Sequence, residues 1–142
     1  MKTIITNSEI ETKNIAKKIA SKIDKNAVII LNGELGAGKT KFTEGFLSYF
    51  GLENEISSPT FTIVNEYKNE KVTIYHFDVY RLSDIDEFYA IGGDEYFSKG
   101  ICIIEWGEML KEALPDDYIK IEIKKDKENY NKRIIKIEDM NI

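Results

Sequence analysis

Gly33-Glu-Leu-Gly-Ala-Gly-Lys-Thr40 places glycines, a lysine and a threonine at the spacing G-x-x-x-x-G-K-[ST]. The chemistry open to such a stretch is the cradling of a polyphosphate. A loop that wraps an anion must turn several backbone N–H groups inward, which asks for positive φ and close approach at Gly33, Gly36 and Gly38. A helix starting near Gly38 adds its unpaired amides and the positive end of its dipole. Lys39 then supplies a point charge, and Thr40 a hydroxyl ligand for Mg²⁺.

A bound Mg²⁺ also needs a carboxylate near its open side, because the ion keeps several waters and takes few protein ligands. Ile101-Cys-Ile-Ile-Glu105 is an apolar run ending in an acid, the form of a buried strand that delivers a carboxylate at its C-terminal end. Glu105 is therefore the metal candidate, with capping of the next helix as its other reading. His76-Phe-Asp78-Val-Tyr-Arg81 gathers an acid, the only histidine and one of two arginines. Strand alternation puts His76 and Asp78 on one face, where Asp78 can orient water. His76 fits either chemistry or a hydrogen-bonded strand position, while Tyr75, Phe77 and Tyr80 read as core.

These groups need elements to hold them. Ala27 to Leu31 reads as a buried parallel strand before the loop, and Lys39 to Phe50 as the helix after it, stopped by Gly51. Ser8-Glu-Ile-Glu11 has capping-box spacing and opens an amphipathic helix predicted over Glu9 to Asp24, with Lys13, Lys17, Lys18 and Lys22 on a solvated side. Ser57-Ser-Pro-Thr60 is a polar break. Phe61, Ile63 and Tyr67, then Val72 to Val79, predict an antiparallel hairpin. Ser83 to Asp86 starts a short helix ended by Gly92-Gly93, with Phe88 and Ile91 on one side, and a helical turn fits Glu95 to Phe97. A further short helix ends at Pro115, and Tyr118 to Ile123 pairs with Ile135 and Ile137 in a last hairpin. The expected fold is α/β, a single P-loop NTPase domain over residues 1–142 with a mixed β-sheet flanked by helices.

At 142 residues and 42% hydrophobic content, the chain has material for one core and no second domain. A net charge of −5 argues against binding DNA, RNA or an anionic membrane by charge alone, so any RNA role calls for a partner. The lone Cys102 excludes an internal disulfide and a cysteine-based zinc site, and its apolar run makes it packing. Nowhere do 18 apolar residues run together, which leads to a cytoplasmic reading.

Four segments in this order, Gly33 to Thr40, Ser58-Pro-Thr-Phe61, His76-Phe-Asp-Val-Tyr-Arg-Leu82 and Ile104-Glu-Trp-Gly-Glu108, resemble the TsaE (YjeE) family. Those are bacterial ATPases needed for threonylcarbamoyladenosine modification of adenosine 37 in tRNAs that read codons beginning with A. The resemblance implies ATP as substrate and Mg²⁺ as cofactor. It puts Lys39 and the loop amides of Gly33, Leu35, Gly36, Ala37 and Gly38 on phosphate, and Thr40 and Glu105 on the metal. Asp78 becomes the catalytic carboxylate, Thr60 the switch threonine and Trp106 the mobile tryptophan. By spacing, Glu9, Tyr130 and Arg133 fall where the family closes over the base. The implied partners are the TsaB and TsaD proteins, with tRNA reached only through that assembly.

Other readings use the same loop. A small-molecule kinase usually recruits several lid arginines, whereas this chain has Arg81 and Arg133 only. On a strand Arg81 falls on the face opposite Asp78, and Arg133 lies in the terminal hairpin, so neither is well placed for the γ-phosphate. A GTPase would carry Asn-Lys-x-Asp, and Asn131-Lys-Arg-Ile134 lacks the acid. A non-hydrolysing ATP-binding module shares every feature except turnover.

Overall fold

Two runs in the chain are apolar at nearly every position, and both become central strands because only a position covered on both faces suits them. The computed structural model describes residues 2–34, 36–55, 64–79, 82 and 84–138. Its strands are β1 (Lys2–Thr6), β2 (Val28–Asn32), β3 (Val64–Lys68), β4 (Thr73–Asp78), β5 (Ile101–Glu105), β6 (Ile119–Lys125) and β7 (Arg133–Glu138). They form one seven-stranded sheet in the order β1-β7-β6-β2-β5-β4-β3. The centre is parallel, β2 pairing with β5 and β6, and β5 with β4. Antiparallel pairs β3–β4, β6–β7 and β1–β7 flank it, so the sheet is mixed.

Helices α1 (Glu9–Ala20) and α2 (Lys39–Tyr49) cover one face. There Ile19, Phe42 and Phe46 pack with Ile29, Leu31, Ile103 and Ile121. The other face holds Val28, Ile30, Phe77, Cys102 and Ile104 under Phe88 of the short helix α3 (Ile85–Ala90) and under Leu110 of the 3₁₀ segment Gly107–Ala113. Burial pushes the Cys102 thiol up to about 12, as befits packing. Gly45 of α2 lets the two helices touch, since a Cβ there would run into the Lys13 backbone.

Ser8 caps α1 by accepting from Glu11 N–H at 3.1 Å, and Glu11 reaches back to Asn7 N–H at 3.2 Å, one residue earlier than a capping box requires. The helix stops at Ala20 rather than at the expected Asp24. Ser21 Oγ donates to Lys18 O at 2.6 Å, and a turn closed by Ala27 N–H on Asp24 O then aims the chain into β2. Strand β1 was not foreseen, and it holds the sheet edge by main-chain pairing to β7, with little of its own surface buried. Ile91 does not share the side of Phe88. It follows the end of α3 and is 41% exposed, whereas Phe88 is fully buried.

The β3–β4 hairpin turns at Asn69, whose side chain accepts from Lys71 and Val72 N–H. The expected turn near Phe97 and the helix before Pro115 are both 3₁₀, over Gly93–Ser98 and Gly107–Ala113. The polar break at 57–60, Phe61 and Ile63, Tyr80, Arg81 and Ser83 lie outside the described residues.

Candidate active site

Parallel strands deliver side chains at their C-terminal ends, and here β2, β4 and β5 end side by side. Leu31 of β2 pairs with Glu105 of β5, and Glu105 with Asp78 of β4. The chain leaves β2 into the glycine loop and enters α2, so the loop, the helix start and two carboxylates border one cleft of about 760 Å³. Gly36, Gly38, Lys39 and Thr40 line it from the loop side, Asp78 and Glu105 from the sheet. Glu9 of α1, Trp106, Tyr130 and Arg133 complete the rim.

The glycines divide by role. Gly36 and Gly38 have φ of 80° and 107°, the left-handed region that favours glycine. Gly33 does not take the positive φ expected of it. It is confined by close approach, since a Cβ there would lie 2.8 Å from the Ile123 carbonyl oxygen of β6. Ala37 is buried, and its N–H closes a turn on Glu34 O at 3.0 Å. Leu35 and Thr60 lie outside the described residues.

Lys39 Nζ faces Glu105 Oε1 at 3.4 Å and sits 4.3 Å from the centre of the Trp106 ring. His76 Nε2–H donates to the other Glu105 oxygen at 2.6 Å. Burial alone would raise the Glu105 carboxyl, but the His76 hydrogen bond and charge, with the Lys39 ammonium, outweigh it and hold the acid below its usual range. The helix-capping reading of Glu105 is displaced by these contacts, and the turn that follows has no side-chain cap. His76 is the residue whose part the sequence left open. Alternation put it on the Asp78 face, but only strand order reveals Glu105 as its partner.

Trp106 has φ 63° and ψ 38°, the one non-glycine residue with positive φ among the described residues. Such a backbone is uncommon for a bulky residue and turns the indole back toward Lys39. Arg133, expected in a terminal hairpin and, by the resemblance, near the base, reaches the glycine loop: its Nε–H donates to Ala37 O at 2.9 Å. Tyr130, at the turn between β6 and β7, is 88% exposed. Thr40, Asp78 and Glu105 offer hard oxygen donors to one space, and a cation already faces Glu105 Oε1, so the donor set fits Mg²⁺.

Residues 6–135 match the family model described as threonylcarbamoyl adenosine biosynthesis protein TsaE. The chain belongs to the TsaE family. It is 45% identical over 121 residues to the tRNA threonylcarbamoyladenosine biosynthesis protein TsaE of Rickettsia bellii, covering 84% of each chain. It is 45% identical over 116 residues to the TsaE protein of Bacillus subtilis, covering 81% of this chain and 72% of that one. The crystal structure of Bacillus subtilis YdiB superposes with a TM-score of 0.74 at 37% identity, over 94% of this chain and 82% of that chain. The TsaE likeness thus extends from sequence to architecture, an α/β P-loop fold with a mixed sheet between helices.

Proposed function

We propose that this chain is a Mg²⁺-dependent ATPase of tRNA threonylcarbamoyladenosine synthesis, working with the TsaB and TsaD proteins and meeting tRNA only through that assembly. The observation that carries the reading is one cleft bordered by the glycine loop, Lys39, Thr40, Asp78 and Glu105. On this reading the amides of the loop from Gly33 through Leu35, Gly36 and Ala37 to Gly38 surround the phosphates, and Lys39 leaves Glu105 to join them. Thr40 and Glu105 hold Mg²⁺, which neutralises charge on the phosphate oxygens when bound. Asp78 orients or deprotonates the attacking water. Thr60 and Trp106 act as switch elements, and Glu9, Tyr130 and Arg133 border the base side.

The net charge of −5 supports a protein-mediated route to tRNA over direct binding, and offers nothing to DNA or an anionic membrane. No helix among the described residues is long and apolar enough to cross a membrane, which is compatible with work in the cytoplasm. The test is phosphate release from ATP by the purified chain with and without Mg²⁺, then with TsaB and TsaD added. Hydrolysis that needs Mg²⁺ and is lost in Lys39→Ala is the expected result. Binding without turnover under every condition would replace the ATPase with a non-hydrolysing module, and transfer to a small acceptor would make it a kinase.

A further inference from the structure

Arg133 spends its guanidinium on main-chain carbonyls. Nε–H donates to Ala37 O at 2.9 Å, and one terminal nitrogen donates to Tyr130 O at 2.6 Å and Lys132 O at 3.0 Å. The other terminal nitrogen points to Gly36 O at 3.5 Å. Three nitrogens thus join two segments nearly a hundred residues apart, the phosphate loop and the turn between β6 and β7. Lys125, the cross-strand partner of Arg133, comes to the same loop: a Cβ on Gly36 would lie 2.9 Å from its ammonium.

The peptide between Ala37 and Gly38 is planar and trans, so its carbonyl and its N–H point in opposite directions. A guanidinium that holds Ala37 O therefore fixes where Gly38 N–H aims, and Gly38 borders the cleft at the head of α2. Gly36 and Gly38 both take left-handed φ and lack side chains to restrict them, so the loop needs an outside contact to stay in one shape.

We propose that Arg133 is a positioning residue for the phosphate loop, a fork that locks the Ala37–Gly38 peptide with its amide turned toward the anion and couples the β6–β7 turn to the loop. The inference rests on the nucleotide reading of the cleft. It differs from a direct contact with the base, because the donors of the fork are directed at protein carbonyls. Lysine cannot replace it, since an ammonium on a flexible stem cannot hold carbonyls on both segments in one plane.

The test compares wild type, Arg133→Lys and Arg133→Ala as full chains. Amide hydrogen exchange of the nucleotide-free protein reads the loop directly, with β2 and β5 amides as the measure of intact folding. Ala37 N–H, held on Glu34 O at 3.0 Å without nucleotide, is expected to exchange about 10- to 100-fold faster in both variants, the factor that matches loss of one charge-assisted hydrogen bond. ATP affinity in Mg²⁺ is expected to fall by a similar factor, with the turnover rate at saturating ATP changed less. Should Arg133→Ala lose core protection, Arg133→Lys at intact β2 and β5 protection decides the matter. Wild-type exchange and wild-type affinity in Arg133→Lys would overturn the fork, leaving a simple charge. Faster loop exchange in the variants of a wild type that binds no ATP would keep the positioning role and refute the nucleotide reading instead.

Discussion

Asp78 and Glu105 are register partners at the C-terminal ends of adjacent parallel strands, two carboxylates side by side at the edge of the same cleft. Their surroundings separate them. Glu105 is clasped by Lys39 on one oxygen and His76 on the other, which fixes it as an anion ready to meet a cation. Asp78 stands one strand further from the loop, at the end of β4.

That division gives the first expectation. Glu105→Gln keeps the shape but removes the charge that answers Lys39 and would hold Mg²⁺. Isothermal titration should show ATP still binding while the gain in affinity from Mg²⁺ shrinks by about 10-fold or more. An unchanged Mg²⁺ effect would take Glu105 out of the metal site.

The same acid should make the nucleotide-free protein sensitive to low pH. Its carboxyl is held below the ordinary value of 4.5, so the folded state favours the anion more than the unfolded chain does. The stabilisation is therefore complete above the unfolded value and is lost as pH falls through the lower folded one. Urea denaturation should find wild type more stable than Glu105→Gln by about 1–3 kcal/mol at pH 7, with the gap closing below pH 4.5. A gap that ignores pH would mean that the amide fails there for steric reasons.

Asp78→Asn retains size and most hydrogen-bonding capacity while losing the charge that aligns water. Steady-state hydrolysis should drop roughly 10²-fold or more with ATP affinity within a few-fold of wild type. Parallel losses of binding and rate would reassign Asp78 to building the cleft.

Trp106 reports on Lys39. The ammonium lies 4.3 Å from the indole centre, and this is the only tryptophan, so its emission reads this one site. When Lys39 turns to phosphate the ring loses its cation, and fluorescence should change on adding ATP and Mg²⁺ but not in Lys39→Ala. Emission that stays flat through a saturating titration would identify a rigid packing residue.

The centre of this architecture was legible because it depends on local pattern. Val28 to Leu31 and Ile101 to Ile104 are apolar throughout, and only a strand covered on both faces accommodates them. The loop was legible through its glycines. What stayed hidden depends on pairing between distant segments. His76 meets Glu105 only because β4 lies beside β5, and Arg133 of β7 meets Ala37 only because β7 pairs with β6 and β6 lies beside β2. Strand β1 escaped notice since it is short and most of its surface stays exposed, and its place comes from hydrogen bonds to β7. Gly33 shows the same limit, as its need for a hydrogen atom comes from Ile123 of another strand.

Arg133 also bears on how fast this protein should work alone. Charge develops on the γ-phosphoryl oxygens during transfer, and an arginine placed there is typically worth about 10³ to 10⁵ in rate, roughly 4–7 kcal/mol. The chain has two arginines, Arg81, outside the described residues, and Arg133, whose donors hold Ala37, Tyr130 and Lys132 carbonyls. Moving Arg133 to the phosphate would release the loop it secures. Basal hydrolysis is therefore expected to be slow, with partner subunits supplying the missing stabilisation. Steady-state ATPase should be measured for the chain alone, with the TsaB–TsaD pair, and with tRNA alone. A rise of at least about 10-fold with the pair, and none with tRNA alone, is the expected pattern. Fast turnover that ignores the pair would show a complete site within this chain and direct attention to Arg81, whose replacement by lysine should then abolish it.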